Sequence, residues 1–193
     1  MSTIHSFEPI VEPNSTILIL GTMPGADSLS LHQYYANKNN YFWDIMFRVF
    51  NTDWAPFNYV DEKIQYSERV LLLKASQVAL WDMIHSCTRE GNSDKNIKNV
   101  ELNDIDLFLK KNNSIKTIIF NGKSLGKSHS AFWYFKNGLP DLYNRKDLKL
   151  IPLNSTSSQN PNNPFMILSE WQNVLKRNIQ CTVGKQVKNS SVQ

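Results

Sequence analysis

Thr16-Ile-Leu-Ile-Leu-Gly21 is an unbroken apolar run closed by glycine. A strand with one wet face alternates apolar and polar residues. This run does not alternate, so both its faces are covered, as in the middle of a parallel sheet. Three further runs extend the pattern along the chain. Val78-Ala-Leu-Trp81 reads as a second strand ending at Asp82, and Ile115-Lys-Thr-Ile-Ile-Phe120 as a third ending at Asn121-Gly122. Leu148-Lys-Leu-Ile-Pro-Leu153 is the fourth. Helical stretches lie between them. Tyr41–Phe50 sets Phe42, Ile45, Met46, Val49 and Phe50 on one face. Ser67 is placed to cap a helix through Ala75, and Asn103 one through Leu109. Lys123–Phe135 reads as a helix opened by Asn121-Gly122, and Pro164 suits the first turn of a last helix to about Arg177. Residues 51–66 are irregular and 86–100 read as loop, with Gly91, Asn92 and Ser93 as turn formers. Strands alternating with helices predict a parallel sheet with right-handed crossovers.

With 193 residues, 41% of them hydrophobic, the chain suits one folded domain with a proper core. Cys87 and Cys181 are its only cysteines. They lie far apart without metal-ligand spacing, so no metal site is expected, and their scarcity fits a reducing interior. The opening residues have no basic and apolar signal segment, and no apolar run reaches membrane-spanning length. An intracellular protein, off the membrane and monomeric, is expected. The net charge of +4 is carried by Lys176, Arg177, Lys185 and Lys188, and residues 176–193 hold no acid. The chain therefore divides into a body, 1–177, and a basic tail, 178–193, expected to be mobile. Within the neutral body, Lys110–Lys149 gathers nine basic residues against Asp141 and Asp147. That excess reads either as a phosphate-facing patch or as a solvated face.

In parallel α/β sheets the site lies beyond the carboxyl ends of the strands. Four ends then converge: Gly21-Thr-Met-Pro-Gly25, Asp82, Asn121-Gly122 and Asn154-Ser-Thr-Ser157. They supply amides, hydroxyls, turns and one carboxylate. His5, His32, His85 and His129 are scattered and read as surface or structural, and no phosphate-binding P-loop motif is present. Such a site suits a reaction whose leaving group departs with modest help, or a pure binding module.

The residues around these ends resemble a known family. Gly21-Thr-Met-Pro-Gly-Ala-Asp-Ser-Leu29 and Gln33-Tyr-Tyr-Ala-Asn-Lys-Asn-Asn-Tyr-Phe-Trp43 look like the first motif region of the hypoxanthine-DNA glycosylases, a branch of the uracil-DNA glycosylase superfamily. The resemblance continues through Ala79-Leu-Trp-Asp82, Cys87-Thr-Arg-Glu-Gly91, Asn103-Asp104 and Phe120-Asn-Gly122, and ends in Leu153-Asn-Ser-Thr-Ser157. It implies a three-layer α/β/α sandwich with a short central four-stranded parallel sheet. It also implies base excision from DNA containing deaminated bases, without a cofactor. Met23 stands where much of the superfamily carries a catalytic Asp or Asn, and the resemblance implies that Asn40 takes that burden instead. Leu153 stands where the uracil enzymes carry a histidine, so no imidazole assists the leaving base. Tyr35 matches the aromatic that stacks on the flipped base.

These roles are chemically coherent. Glycosidic cleavage builds positive charge on the sugar. An Asn carboxamide is no base, yet it can hold an attacking water and aim it. The target base sits inside a duplex and must rotate out into a pocket. Asn121 is placed to meet the base edge, or serves only the turn before Gly122. Asp82 is placed to bind base or water, or to cap a turn. Asn40 can also cap the helix beginning at Tyr41. Tyr34 and Tyr35 read equally as core or as stacking residues, whereas Phe42 and Trp43 read as core. Ser155, Thr156 and Ser157 can offer hydroxyls and amides to DNA phosphates. Asn37 and Lys38 replace the family's His-Pro, and Asn154, Ser158 and Gln159 replace Pro, Pro and Ala. Loss of prolines leaves the last loop less pre-organised.

Overall fold

The computed structural model describes residues 2–50, 64–91, 93–123 and 129–189. In chain order the elements are β1 (Thr3–His5), β2 (Ile17–Gly21), α1 (Ala26–Leu31), α2 (Phe42–Phe50), α3 (Tyr66–Ala75), β3 (Val78–Asp82) and β4 (Ile84–Thr88). There follow β5 (Lys98–Leu102), α4 (Ile105–Lys111), β6 (Thr117–Asn121), α5 (Ala131–Gly138), α6 (Pro140–Tyr143), β7 (Lys149–Leu153) and α7 (Pro164–Asn189).

The four apolar runs form one parallel sheet of order β3-β2-β6-β7. Its central strand is in register with both neighbours, Ile17 opposite Val78 and Thr117, Leu20 opposite Trp81 and Phe120. Every residue of β2 is buried, as a strand covered on both faces requires. The period of two sorts its side chains between two cores. Leu18 and Leu20, with Ile118 and Phe120, meet Phe108 of α4, Phe135 of α5 and Leu142 of α6. Ile17 and Ile19, with Val78 and Leu80, meet Phe42 and Met46 of α2, Leu73 of α3 and Trp171 of α7. Helix layers thus cover both faces of a four-stranded sheet, giving the three-layer α/β/α sandwich. Connections leave β2 toward β3 and β6 toward β7, in opposite directions, so a crevice opens between the carboxyl ends of β2 and β6.

Several local expectations are corrected. Residues 86–100 are not one loop: β4 and β5 pair antiparallel, and β1 adds to the other side of β4. This second sheet was hidden because its strands are short and β5 is almost wholly exposed, which leaves no apolar period. Asn99 at φ 51° and shifts of register in β4 break the pattern further. Helix α3 starts beyond Gln65, whose N–H is accepted by Glu68 at 2.8 Å, so Ser67 is not its cap. Asp104 rather than Asn103 caps α4, accepting Leu107 N–H at 2.9 Å. Lys123 is not helical, and α5 begins after its Ser130 cap. Of the irregular stretch 51–66, residues 51–63 lie outside the described residues.

Helix α7 continues past Arg177 to Asn189. Asn178, assigned to the tail by polarity, is buried: its Oδ1 accepts from Lys149 Nζ at 3.0 Å and its Nδ2 donates to Val174 O at 2.6 Å. Ile179 packs against the α2/α3/α7 core. Truncation after Ile179 removes Lys185 and Lys188 and is expected to move the melting temperature by less than about 4 °C. It should also flatten the salt dependence of nonspecific DNA binding. Truncation after Arg177, which unpairs Lys149 and uncovers the core, should lower the melting temperature by more. Thermal scans and a salt titration of the two truncations check this.

Candidate active site

The crevice holds a cleft of about 630 Å³ walled by the Gly21–Gly25 loop, Tyr35, Asn40, Asp82, Asn121 and the 154–162 loop. That volume lies within the ~300–1,000 Å³ of typical ligand sites. The loop after β2 is tied down by its own backbone: Met83 N–H donates to Gly21 O at 2.9 Å and Ile84 N–H to Thr22 O at 3.1 Å. A side chain at Gly21 would displace its neighbours. A Cβ on it would lie 2.3 Å from Asp82 Oδ1 and 3.1 Å from the Tyr35 hydroxyl. Met23 lines the cleft yet is mostly buried, its side chain belonging to the α4/α5/α6 core.

Four polar side chains form an unbroken hydrogen-bonded chain across the crevice. Asn121 Nδ2 donates to the Tyr35 hydroxyl and to Thr156 Oγ1, each at 2.9 Å. Asn121 Oδ1 accepts the Thr156 N–H at 2.9 Å. The Thr156 hydroxyl donates onward to Asn40 Oδ1 at 2.8 Å, which also accepts Phe42 N–H at 2.9 Å. Tyr41 N–H closes the loop on Thr156 O at 2.9 Å. Phe42 N–H can only donate, so Asn40 is fixed with its oxygen inward, and its Nδ2 has no partner among the described residues. Asn40 therefore does serve the start of α2, and its amide donors remain for the cleft. Asn121 has spent both donor hydrogens and keeps one acceptor lone pair. Tyr35 sits at φ 52°, a left-handed conformation unusual for a bulky residue. Its ring stacks on Phe42 at 3.9 Å and 18°. Tyr34 is core, 3% exposed, and Phe42 and Trp43 are core as expected.

Asp82 is 3% exposed and presents its carboxyl to the cleft. Ser6, just after β1, donates to Oδ2 at 2.7 Å. Asn103 Nδ2 holds Asp82 O at 2.9 Å. Burial pushes the Asp82 carboxyl up to about 7, with Asp94 adding to the rise and Ser6 and Arg89 opposing it. The folded state thus binds this proton more tightly than the unfolded chain. The carboxyl's contribution to stability is full below the ordinary 3.8 and is lost as pH rises through about 7. Farther along the cleft, Arg89 is almost wholly buried. It donates to Pro24 O and lies 3.7 Å from Asp94, whose carboxyl burial raises to about 6.

The second motif region departs from expectation at Thr156. This residue is fully buried and its hydroxyl is engaged on both sides, so it faces inward and offers nothing to a phosphate. Ser155 and Ser157 do line the cleft. Their hydroxyl oxygens accept Ser157 N–H at 3.2 Å and Gln159 N–H at 3.3 Å, leaving the O–H hydrogens to donate. Hydrogen bonds stand in for the missing prolines. Asn154 N and Nδ2 donate to Glu170 Oε2 at 3.0 and 2.7 Å, Asn162 Nδ2 donates to Asn154 Oδ1 at 2.9 Å, and Trp171 Nε1 holds Asn154 O at 2.9 Å. Glu170 also pairs with Lys123 at 2.6 Å. Four of the nine basic residues of 110–149 are paired internally: Lys110 to Asp106, Lys116 and Arg145 to Asp147, Lys123 to Glu170. Ser6, Arg89, Asp94, Lys123 and Glu170 were not singled out from sequence. Only Arg89 stood inside a quoted motif. Among the described residues no group of three or more His, Cys, Asp or Glu can hold a metal ion. None of the described helices is long and apolar enough to cross a membrane.

A three-layer sandwich with an amide-lined cleft at its topological switch point places the chain among the open α/β proteins that bind ligands beyond the carboxyl ends of their strands. Residues 8–186 match the family model of the uracil DNA glycosylase superfamily, and the chain belongs to that superfamily. A curated relative from Methanosarcina barkeri, named hypoxanthine DNA glycosylase, is 35% identical over 123 residues, 64% of this chain and 73% of the relative. A second relative of that name, from Methanosarcina acetivorans, is 29% identical over 126 residues with the same coverage. A solution NMR structure from Methanosarcina acetivorans, provisionally titled a uracil DNA glycosylase, superposes with a TM-score of 0.71 at 25% identity. It covers 92% of this chain and 99% of its own.

Gly21→Ala tests the close approach at the head of the cleft. The added methyl must push Asp82 off Ser6, at a cost of about 1–3 kcal/mol, and thermal unfolding should register it. Removing the carboxyl as well, in Gly21→Ala/Asp82→Ala, should recover part of the loss. A double variant whose destabilisation is the plain sum of the two would show that the methyl and the carboxyl do not meet.

Proposed function

We propose that this chain flips a deaminated nucleotide out of DNA and hydrolyses its N-glycosidic bond, leaving an abasic site, with hypoxanthine its leading base. The supporting observation is the hydrogen-bonded chain Tyr35–Asn121–Thr156–Asn40, which joins the first motif region to the second across the end of β6. Superfamily membership and the curated relatives named hypoxanthine DNA glycosylase support the reaction and the base.

Asn40 is the catalytic residue of this reading. Its free Nδ2 holds the oxygen of a water and leaves a lone pair directed at C1′. Attack on an oxocarbenium-like centre needs orientation more than prior deprotonation. The exposed face of Tyr35 stacks on the base, Met23 closes the apolar side, and the remaining Asn121 Oδ1 lone pair accepts from the base N–H. Ser155 and Ser157 donate to the phosphates beside the flipped nucleotide. Asp82 meets the base edge. DNA is the partner, and a single copy of the chain suffices for every role named.

Oligonucleotides carrying hypoxanthine, uracil or xanthine, treated with the protein and then alkali, test the substrate. Hypoxanthine release that persists in EDTA is expected. Release of uracil with none of hypoxanthine would move the chain to another base, and binding without release would make it a lesion-binding module.

Asn40→Ala is expected to cut single-turnover base release by about 10²-fold or more. Loss of its contact with Phe42 N–H should cost about 1 kcal/mol of stability. Asn40→Asp keeps both acceptor contacts and so should melt near the wild type. A purely structural Asn40 predicts the same loss of stability in Asn40→Ala with base release nearly intact. Single-turnover rates beside melting temperatures separate the two.

A further inference from the structure

Leaving-group assistance comes from neither Leu153 nor Asn121. Leu153 is buried and apolar, and Asn121 has spent both donor hydrogens on Tyr35 and Thr156. A deaminated base is a lactam, with a carbonyl beside an N–H. Departure with the bonding electrons puts negative charge on that carbonyl oxygen, so a donor aimed at it serves recognition and catalysis together. Asn121 Oδ1 can accept the lactam N–H. The carbonyl still needs a donor.

Asp82 occupies the required wall. Its Oδ2 is held by the Ser6 hydroxyl at 2.7 Å, and its main chain is held by Asn103. Oδ1 carries no hydrogen bond among the described residues and lies over Gly21 beside the Tyr35 hydroxyl. We infer that Asp82, oriented by Ser6, works as a neutral carboxylic acid whose Oδ1–H donates to the carbonyl of the flipped base, making it a specificity-determining and leaving-group residue. This rests on the glycosylase reading above.

The surroundings favour the neutral acid. The carboxyl is buried with one hydroxyl donor and no ion-pair partner within salt-bridge distance among the described residues. Arg89, just after β4, favours the anion, and Asp94 opposes it. Tyr34, Tyr35 and Tyr66 face the carboxyl as neutral phenols, their ionisation disfavoured by burial and by Asp82. A base entering the cleft displaces water and disfavours the anion further. The reaction then balances without consuming the acid. The C1′–N9 bond breaks with both electrons passing to the purine, water oxygen bonds to C1′, and the water's proton ends on the released base through solvent. Asp82 lends a hydrogen bond and keeps its proton.

The test is single-turnover release of hypoxanthine from about pH 5.5 to 9 by the full chain, with melting temperatures alongside. Wild-type release should fall as pH rises past about 7, where Asp82 ionises. Asp82→Ala should lose about 10²-fold at low pH. Asp82→Asn, whose amide N–H replaces the acid O–H, should recover most of that loss and flatten the alkaline fall. Ser6→Ala removes a contact that favours the anion, so the alkaline fall should move to higher pH, which a merely structural serine would not do. Asp82→Asn as inactive as Asp82→Ala in folded protein, or wild-type release rising through pH 7, overturns the neutral-acid role and points to a carboxylate base. If Asp82→Asn does not fold, an unmoved profile in Ser6→Ala overturns the proposal. A wild-type chain that releases no base from any of the three oligonucleotides overturns the glycosylase reading and this inference with it.

Discussion

The two-point clamp between the Asn121 carboxamide and Thr156 is the contact on which the cleft depends. Asn121 ends β6, and Thr156 lies in the loop after β7. Their paired bonds, Nδ2 to Oγ1 and N–H to Oδ1, are both 2.9 Å long and shielded from water. A satisfied polar network in a low-dielectric interior is stiff, and a half-satisfied one is costly. The clamp draws Thr156 inward, and Thr156 in turn holds Asn40 through its hydroxyl and Tyr41 through its carbonyl. The start of α2 is thereby fastened to the far edge of the sheet, and Tyr35 to its centre.

Once these internal bonds are counted, few polar groups remain for a substrate. Around the clamp these are the amide hydrogens of Asn40, one lone pair of Asn121, the Oδ1 of Asp82 and the hydroxyl hydrogens of Ser155 and Ser157. The site offers oriented donors around the Asp82 carboxyl, with Asp27 and Asp94 also on the cleft wall. It suits a bond whose cleavage is already dissociative and needs positioned dipoles more than proton abstraction. The same count explains why side chains that look interchangeable in sequence differ in use. Thr156 between Ser155 and Ser157 is the buried one, and its neighbours face the cleft.

Helix α7 supports the second loop by a different device from the prolines of the motif that this loop resembles. Glu170 gathers Asn154 and Lys123, and Trp171 reaches Asn154 O while its ring meets Phe42. A proline stiffens a loop through the unfolded state. Here side-chain hydrogen bonds stiffen it in the folded state, and they engage Lys123, a basic residue whose charge alone left it open between a phosphate-facing and a solvated role.

The sequence by itself determined the four-stranded sheet, because burial on both faces leaves continuous apolar runs such as Ile17–Leu20. It determined the core role of Phe42 and Trp43, and it brought Asp82 and Asn121 to one end of the sheet, whereas Asn40 was marked only by the resemblance of its motif. Each of these signals is local, a period or a strand end. Tertiary structure alone decided the rest. The antiparallel β1-β4-β5 sheet has no apolar period to announce it. Ser6 reaches Asp82 across a separation of 76 residues, and Thr156 reaches Asn40 across 116. Which lone pairs stay free, and whether a buried carboxyl keeps its proton, follow from those distant bonds and from the water they exclude, and neither leaves a trace in neighbouring residues.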